Sequence, residues 1–323
     1  MTGVAAKSED LVEGVLAGRP RAVARMISIA ESRRSDQRGY LAEIYAHAGR
    51  AHVVGITGVP GSGKSTLIRA LAKAFRGRGK TVGIVAVDPS SPFSGGAILG
   101  DRVRMGDLAT DDGVFIRSLA TRGALGGLAR ACLDTVDILD AAGFDIVLIE
   151  TVGVGQDEVD IAEAAHSVVV VSAPGLGDGV QAIKAGVLEI ADIHVVSKCD
   201  KPESGETVAD LKAMLNLGLR GRERFGWQVP VLATSAETGS GIEDLAEQVA
   251  AHREHLDGSG EQEHRHRKIT EMRILKTAED LVRESLEGQR DGQLKTLLDR
   301  AVERHVDPGS AARELIRSLK IEG

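Results

Sequence analysis

"HVVGITGVPGSGKST", His52 to Thr66, joins an apolar run of strand length to a glycine-rich turn and then to the helically periodic "TLIRALAKAF". Gly58 to Ser65 satisfies G-x-x-x-x-G-K-[ST], and a strand before it with a helix after it is the context in which that spacing cradles phosphate. Gly58, Gly61 and Gly63 let the backbone curl so that N–H groups face inward, and the following helix aims the positive end of its dipole at the same point. Val59, Pro60 and Ser62 complete the loop; Lys64 supplies charge for the outer phosphates, Ser65 a hydroxyl for Mg²⁺, and Thr66 a second hydroxyl toward the α-phosphate.

From His52 onward the chain alternates short Val/Ile-rich runs with longer helical patterns. "TVGIVAVD", "GVFIRSL", "FDIVLIET", "SVVVVSA", "DIHVVSK" and "VPVLATS" read as strands buried on both faces, which predicts an α/β fold with a doubly wound, mostly parallel sheet over 51–256. Residues 1–50 carry apolar positions at helical spacing and predict a helical arm. Residues 257–323 predict a helical tail, entered through a polar linker, "HLDGSGEQEHRHRK", and closed by a helix beginning at Asp307 and Pro308. Such a tail exposes an apolar stripe, for which a second copy of the chain is the expected cover.

Composition narrows the function classes. Among 323 residues, aromatic side chains make up 2% and the formal charge is −7, which argues against nucleic-acid binding by base stacking or by a general basic face. The two cysteines, Cys132 and Cys199, cannot form a disulfide framework or a multi-cysteine metal site within one chain. The charged amino terminus and the absence of a membrane-length apolar run predict a cytoplasmic protein with no membrane partner.

Three stretches identify the base. "SKCD", Ser197 to Asp200, ends a strand where GTPases carry N-K-x-D. A buried Asp200 carboxylate is expected to pair with the N1 and N2 hydrogens of guanine, a donor pair adenine lacks, and Lys198 to lie along the base. Ser197 puts a shorter hydroxyl in place of the asparagine that ties this strand to the phosphate loop, a change expected to bear on affinity more than on base identity. "TSAE" supplies Ser235, Ala236 and Glu237 for the turn whose backbone meets guanine O6. "IETVGVGQDE" stands where D-x-x-G is expected: Glu150 orients metal-bound water and Gly153 offers its N–H to the γ-phosphate. Val154 replaces the usual water-positioning glutamine, with Gln156 two positions on. "VDPSSPFSGGAILGDR" sets Asp88 and Asp101 at the ends of a loop suited to closing on Mg²⁺.

Together with "PGLGDGVQAIKAGVLEIADIHVVSKCD", these stretches resemble the MeaB/ArgK-type GTPases of the G3E group, called MMAA in animals, over nearly the whole chain. The resemblance implies a SIMIBI-class P-loop NTPase and a homodimer joined through its tail. It also implies GTP/GDP and Mg²⁺ as ligands, and service to an adenosylcobalamin-dependent methylmalonyl-CoA mutase or related acyl-CoA mutase. It assigns "GLGDGVQAIK" to a partner-sensing switch, with Asp178, Gln181 and Lys184 as its candidate residues. Two other readings share the phosphate loop: a nickel-insertion metallochaperone, drawing on His264 and His266, and an ATP-dependent small-molecule kinase.

Overall fold

The computed structural model describes residues 10–32, 38–88, 105–120, 130–151, 160–175, 187, 189–217, 223–224, 226–287 and 292–318. Nine strands are present among them: β1 (His52–Thr57), β2 (Val82–Asp88), β3 (Val114–Ala120), β4 (Ile146–Glu150), β5 (Ser167–Ser172), β6 (Ile193–Val196), β7 (Glu223–Arg224), β8 (Trp227–Gln228) and β9 (Val231–Ala233). The seven apolar runs line up as β3-β2-β4-β1-β5-β6-β9, with every neighbouring pair parallel. β7 and β8 form a separate antiparallel hairpin that no apolar run announces.

Every residue of β1, β4 and β5 is buried, as continuous apolar runs in a sheet covered on both faces require. One face packs Val54, Ile56, Leu148, Val169 and Val195 against α3 (Lys64–Gly77) and α6 (Ile242–Ser259). α3 buries Leu67, Ile68, Leu71 and Phe75, the single stripe that its sequence periodicity predicts. The other face receives α4 (Arg130–Ala141) and α5 (Ser204–Leu217), the latter through Leu211 and Leu215 on Val196. The sheet is therefore doubly wound. The chain order reverses at β1: β2, β3 and β4 lie to one side and β5, β6 and β9 to the other, so a ligand crevice forms beyond its carboxyl end.

The amino-terminal arm is a layer of this unit. Residues 10–16 are helical, followed by α1 (Pro20–Ser32) and α2 (Arg38–Tyr45), and α1 lays Val23, Met26, Ile27 and Ala30 on α4. An ion pair between Arg117 on β3 and Glu31 on α1 adds a polar tie.

The expected linker at 255–268 is helix instead. α6 runs to Ser259, Gly260 takes a left-handed φ of 76°, and α7 (Glu261–Glu287) starts immediately after it. Its polar residues are held by structure: Glu261 is buried, and Arg265 donates to Asp192 (2.6 and 2.7 Å), to Glu261 (2.7 Å) and to the His166 carbonyl (2.6 Å). A polar stretch reads as linker when its buried partners lie far away in sequence.

The chain divides into a compact unit of 1–266 and a smaller one of 267–323. The smaller unit contains α8 (Gln293–Val302) and α9 (Pro308–Ser318), packed through Leu297, Ala311 and Leu315. Asp307 caps α9 by accepting from the Ser310 N–H at 3.0 Å, as its place before Pro308 predicts. No helix among the described residues is long and apolar enough to cross a membrane.

Three histidines at the sheet, His52 and His194 buried and His166 half-buried, predict a pH-dependent stability. His166 is pushed down to about 3 and His194 to about 4, while His52 lies well below its ordinary value, burial being the main cause in each. The unfolded chain, titrating near 6.5, binds more protons than the folded one as pH falls. Stability is thus fully present above pH ~6.5 and is lost on acidification toward the folded values, each histidine adding a slope of about 1.4 kcal/mol per pH unit. Urea denaturation at pH 7.5, 6 and 5 is expected to give midpoints that fall together with pH; equal midpoints would exclude this assignment.

Candidate nucleotide site

The phosphate loop leaves the carboxyl end of β1. Gly58 holds φ 140°, and a Cβ placed there would stand 2.1 Å from the Val171 carbonyl oxygen, so the loop passes closer to β5 than any side chain permits. Gly63, with φ 87°, turns the chain into the first turn of α3. Gly58→Ala is expected to destabilise the chain by about 3 kcal/mol through the combined backbone strain and steric overlap. Thermal unfolding checks this, since an unchanged Tm would contradict the close approach.

Lys64 opens α3 and is 6% exposed, with Nζ donating to the carbonyls of Gly58 (2.8 Å) and Val59 (3.1 Å). Its ammonium is thus folded back across the loop it serves. Ser65 donates its hydroxyl to Glu150 Oε1 at 2.6 Å, joining the start of α3 to the end of β4. Glu150 is 6% exposed, and the adjacent Thr151 hydroxyl bonds Thr57 at 3.0 Å, which fixes the β4 end against β1. A hydroxyl and a carboxylate side by side at a phosphate loop are hard oxygen donors, the set that suits Mg²⁺. Thr66 and Pro60 are exposed, Val59 is half-buried and Ser62 is buried.

The base-recognition stretch meets this loop directly. Ser197 donates to the Ser62 carbonyl at 2.5 Å and is also 3.0 Å from that of Ser172, and Lys198 Nζ donates to the Gly61 carbonyl at 2.8 Å. The Ser197 hydroxyl thus makes the link to the loop that the missing asparagine would otherwise make. β6 ends close enough to the loop for a hydroxyl to make the link, a distance that spacing along the chain does not reveal. Lys198 takes a left-handed φ of 56°, turning the chain so that Cys199 N–H donates to Thr234 O at 2.9 Å.

Asp200 and Ser235 are brought together by that contact. The Ser235 hydroxyl and the Asp200 N–H hold the Asp200 carboxyl below its ordinary range. Asp200 is at the surface, so it is not the buried carboxylate the sequence reading expected. Ser235 is buried, its N–H bonded to Ser240 O at 2.9 Å, while Ala236 is half-buried and Glu237 exposed.

Asp88 closes β2, the strand paired with the one that ends in Glu150. Its side chain, together with Asp101, Gly153, Gln156, Asp178, Gln181 and Lys184, lies outside the described residues. Within them, the structure joins Lys64 to the loop carbonyls, Ser65 to Glu150, Ser197 and Lys198 to the loop, and Asp200 to Ser235. Sequence reasoning missed the carbonyls of Gly61, Ser62 and Ser172 as anchors, because a backbone acceptor leaves no residue-type signal.

A relative in Pyrococcus abyssi is 44% identical over 312 residues, 96% of each chain. The mitochondrial methylmalonic aciduria type A homolog of Mus musculus is 38% identical over 211 residues, 64% of this chain and 50% of the mouse protein. Among solved structures, that of an LAO/AO transport system kinase superposes with a TM-score of 0.70 at 26% identity, covering 96% of each chain. HypB from Helicobacter pylori, in complex with nickel, superposes at 0.50 with 18% identity over 71% of this chain and 96% of its own, a likeness of fold alone. The family model for the methylmalonyl Co-A mutase-associated GTPase MeaB matches residues 23–291. The strand order, the phosphate loop at the centre of the sheet and this match over most of the chain lead to one conclusion: the chain is a P-loop GTPase of the MeaB family.

Proposed function

We propose that this chain is a homodimeric GTPase that gates adenosylcobalamin loading onto a methylmalonyl-CoA mutase-type enzyme and protects or reactivates that enzyme. The guanine assignment is supported above all by the contact of Asp200 with Ser235 beside the link from Ser197 and Lys198 to the phosphate-loop carbonyls. The family's printed association with the mutase supports the partner.

In this reading, GTP draws the Lys64 ammonium from the Gly58 and Val59 carbonyls to the outer phosphates. Ser65 and Glu150 would hold Mg²⁺, which when bound would neutralise the charge developing on the transferred phosphate. Glu150 would then orient water at its carboxylate, and Asp88 and Asp101 are the further carboxylates proposed to serve the metal or the catalytic water. With Val154 in place of the usual glutamine, attack by water is slow, about 10⁻⁴ to 10⁻² s⁻¹ for the chain alone. A mutase that engages Asp178, Gln181 and Lys184 orders the switches and accelerates the step, so hydrolysis times the transfer of cofactor.

Dimerisation is supported by the smaller unit. Ile274, Leu275, Leu298, Val302 and Ile316 are large apolar side chains each more than half exposed there. Light scattering of the full chain is expected to give twice the monomer mass, and Val302→Asp with Ile274→Asp to return the monomer; a monomeric wild type would remove the dimer.

The mutase assignment is tested by single-turnover GTP hydrolysis with and without methylmalonyl-CoA mutase, followed by transfer of adenosylcobalamin to the apoenzyme. Faster hydrolysis and nucleotide-dependent transfer are expected. Absence of both would overturn the chaperone reading while leaving GTP hydrolysis standing.

A further inference from the structure

At the amino ends of β1 and β4, on the edge of the sheet opposite the phosphate loop, the larger unit carries a cavity of about 450 Å³. That volume lies in the range of small-molecule sites. Its floor is apolar, with Phe75 from α3, Ile146 from β4 and Val249 from α6 all buried and Phe144 half-buried beside them. Arg50, Arg78, Lys80 and Arg253 contribute cations, and Asp140, Asp145 and Glu254 contribute carboxylates.

The hydrogen bonds decide which sign is available. Asp140 accepts from the N–H groups of Gly49 (2.8 Å) and Arg50 (3.0 and 3.1 Å), and Asp145 accepts from Thr81 N–H (2.8 Å) and hydroxyl (2.9 Å). Both carboxylates are thereby engaged by the protein's own backbone. Arg78 is held by Glu243 at 2.7 Å, and Lys80 lies 3.7 Å from Asp145. The Arg50 guanidinium, by contrast, has no hydrogen bond or ion pair among the described residues. Arg253 commits Nε to Asp257 at 3.1 Å and only a long 3.5 Å contact to Ala51 O. Exposed Glu254 is the one lining carboxylate without such engagement, against two arginines with donors to offer.

We propose that this cavity binds a small organic anion, a carboxylate or phosphate ester carrying an apolar group about the size of a phenyl ring. The guanidinium of Arg50, with the remaining donors of Arg253, pairs with the anion in the forked geometry that suits both oxyanions. Phe75, Phe144, Ile146 and Val249 cover the apolar part. The site is independent of the nucleotide, since α3 meets the nucleotide with its first turn and the cavity with its last.

Phenyl phosphate is the probe, titrated by calorimetry into the full chain saturated with Mg²⁺ and GDP so that the phosphate loop is already filled. Saturable one-to-one binding at millimolar concentration or below is expected, at least tenfold weaker in Arg50→Ala, with GDP affinity unchanged in that variant. Inorganic phosphate, which lacks the apolar group, is expected to bind at least tenfold more weakly than phenyl phosphate. Three results would each overturn the proposal: no saturable heat, equal affinity in Arg50→Ala, or equal affinity for inorganic phosphate.

Discussion

Lys64→Ala is expected to lower kcat for GTP hydrolysis by about 10²- to 10³-fold, the loss that follows removal of one preorganised donor to developing charge. Lys64 is nearly inaccessible to water and its ammonium donates to Gly58 and Val59. Two carbonyls of a loop that holds an anion are weaker partners than phosphate oxygens, so the same group is kept in place before binding and exchanged upon it. The variant also leaves those carbonyls without this donor, which costs about 1–2 kcal/mol. Steady-state phosphate release, measured beside thermal unfolding, separates the two effects: a Tm within a few degrees with hydrolysis reduced is the expected pattern. Hydrolysis within a factor of three of the wild type would contradict the assignment of Lys64 to the phosphates.

Asp200→Asn is expected to reverse base preference. A carboxylate accepts from both N1 and N2 hydrogens of guanine, whereas an amide presents one acceptor and one donor, the pattern that matches xanthine with its carbonyl at C2. A site built around a specific donor pair discriminates by about 10⁴. The variant should therefore lose most of its GTP activity and gain on xanthosine triphosphate, as read from kcat/KM for both. The Ser235 hydroxyl, which now stabilises the charged form of Asp200, can serve the amide oxygen equally, so the side chain is expected to stay where it is. Unchanged preference for GTP would refute the base assignment.

Much of the architecture was legible because the sheet is buried on both sides. A run such as "SVVVVS" has no alternation to misread, and all seven such runs became parallel strands of one sheet. The phosphate loop was equally plain, since Gly58, Gly61 and Gly63 each occupy positive φ. What escaped were contacts between distant residues. Ser197 read as a defect in its motif, yet its hydroxyl reaches Ser62 across 135 positions of chain. "EQEHRHRK" read as linker because Asp192, which engages Arg265, lies 73 residues earlier. Asp200, expected to be buried, is exposed, because no described residue of the chain covers it.

Hydrolysis of GTP and ATP by the wild-type chain, compared at equal Mg²⁺, tests the central claim most directly: that the acid following "SKC" selects guanine for this phosphate loop. The account predicts kcat/KM for GTP above that for ATP by roughly 10³ or more. Equal values, or a preference for ATP, would contradict it.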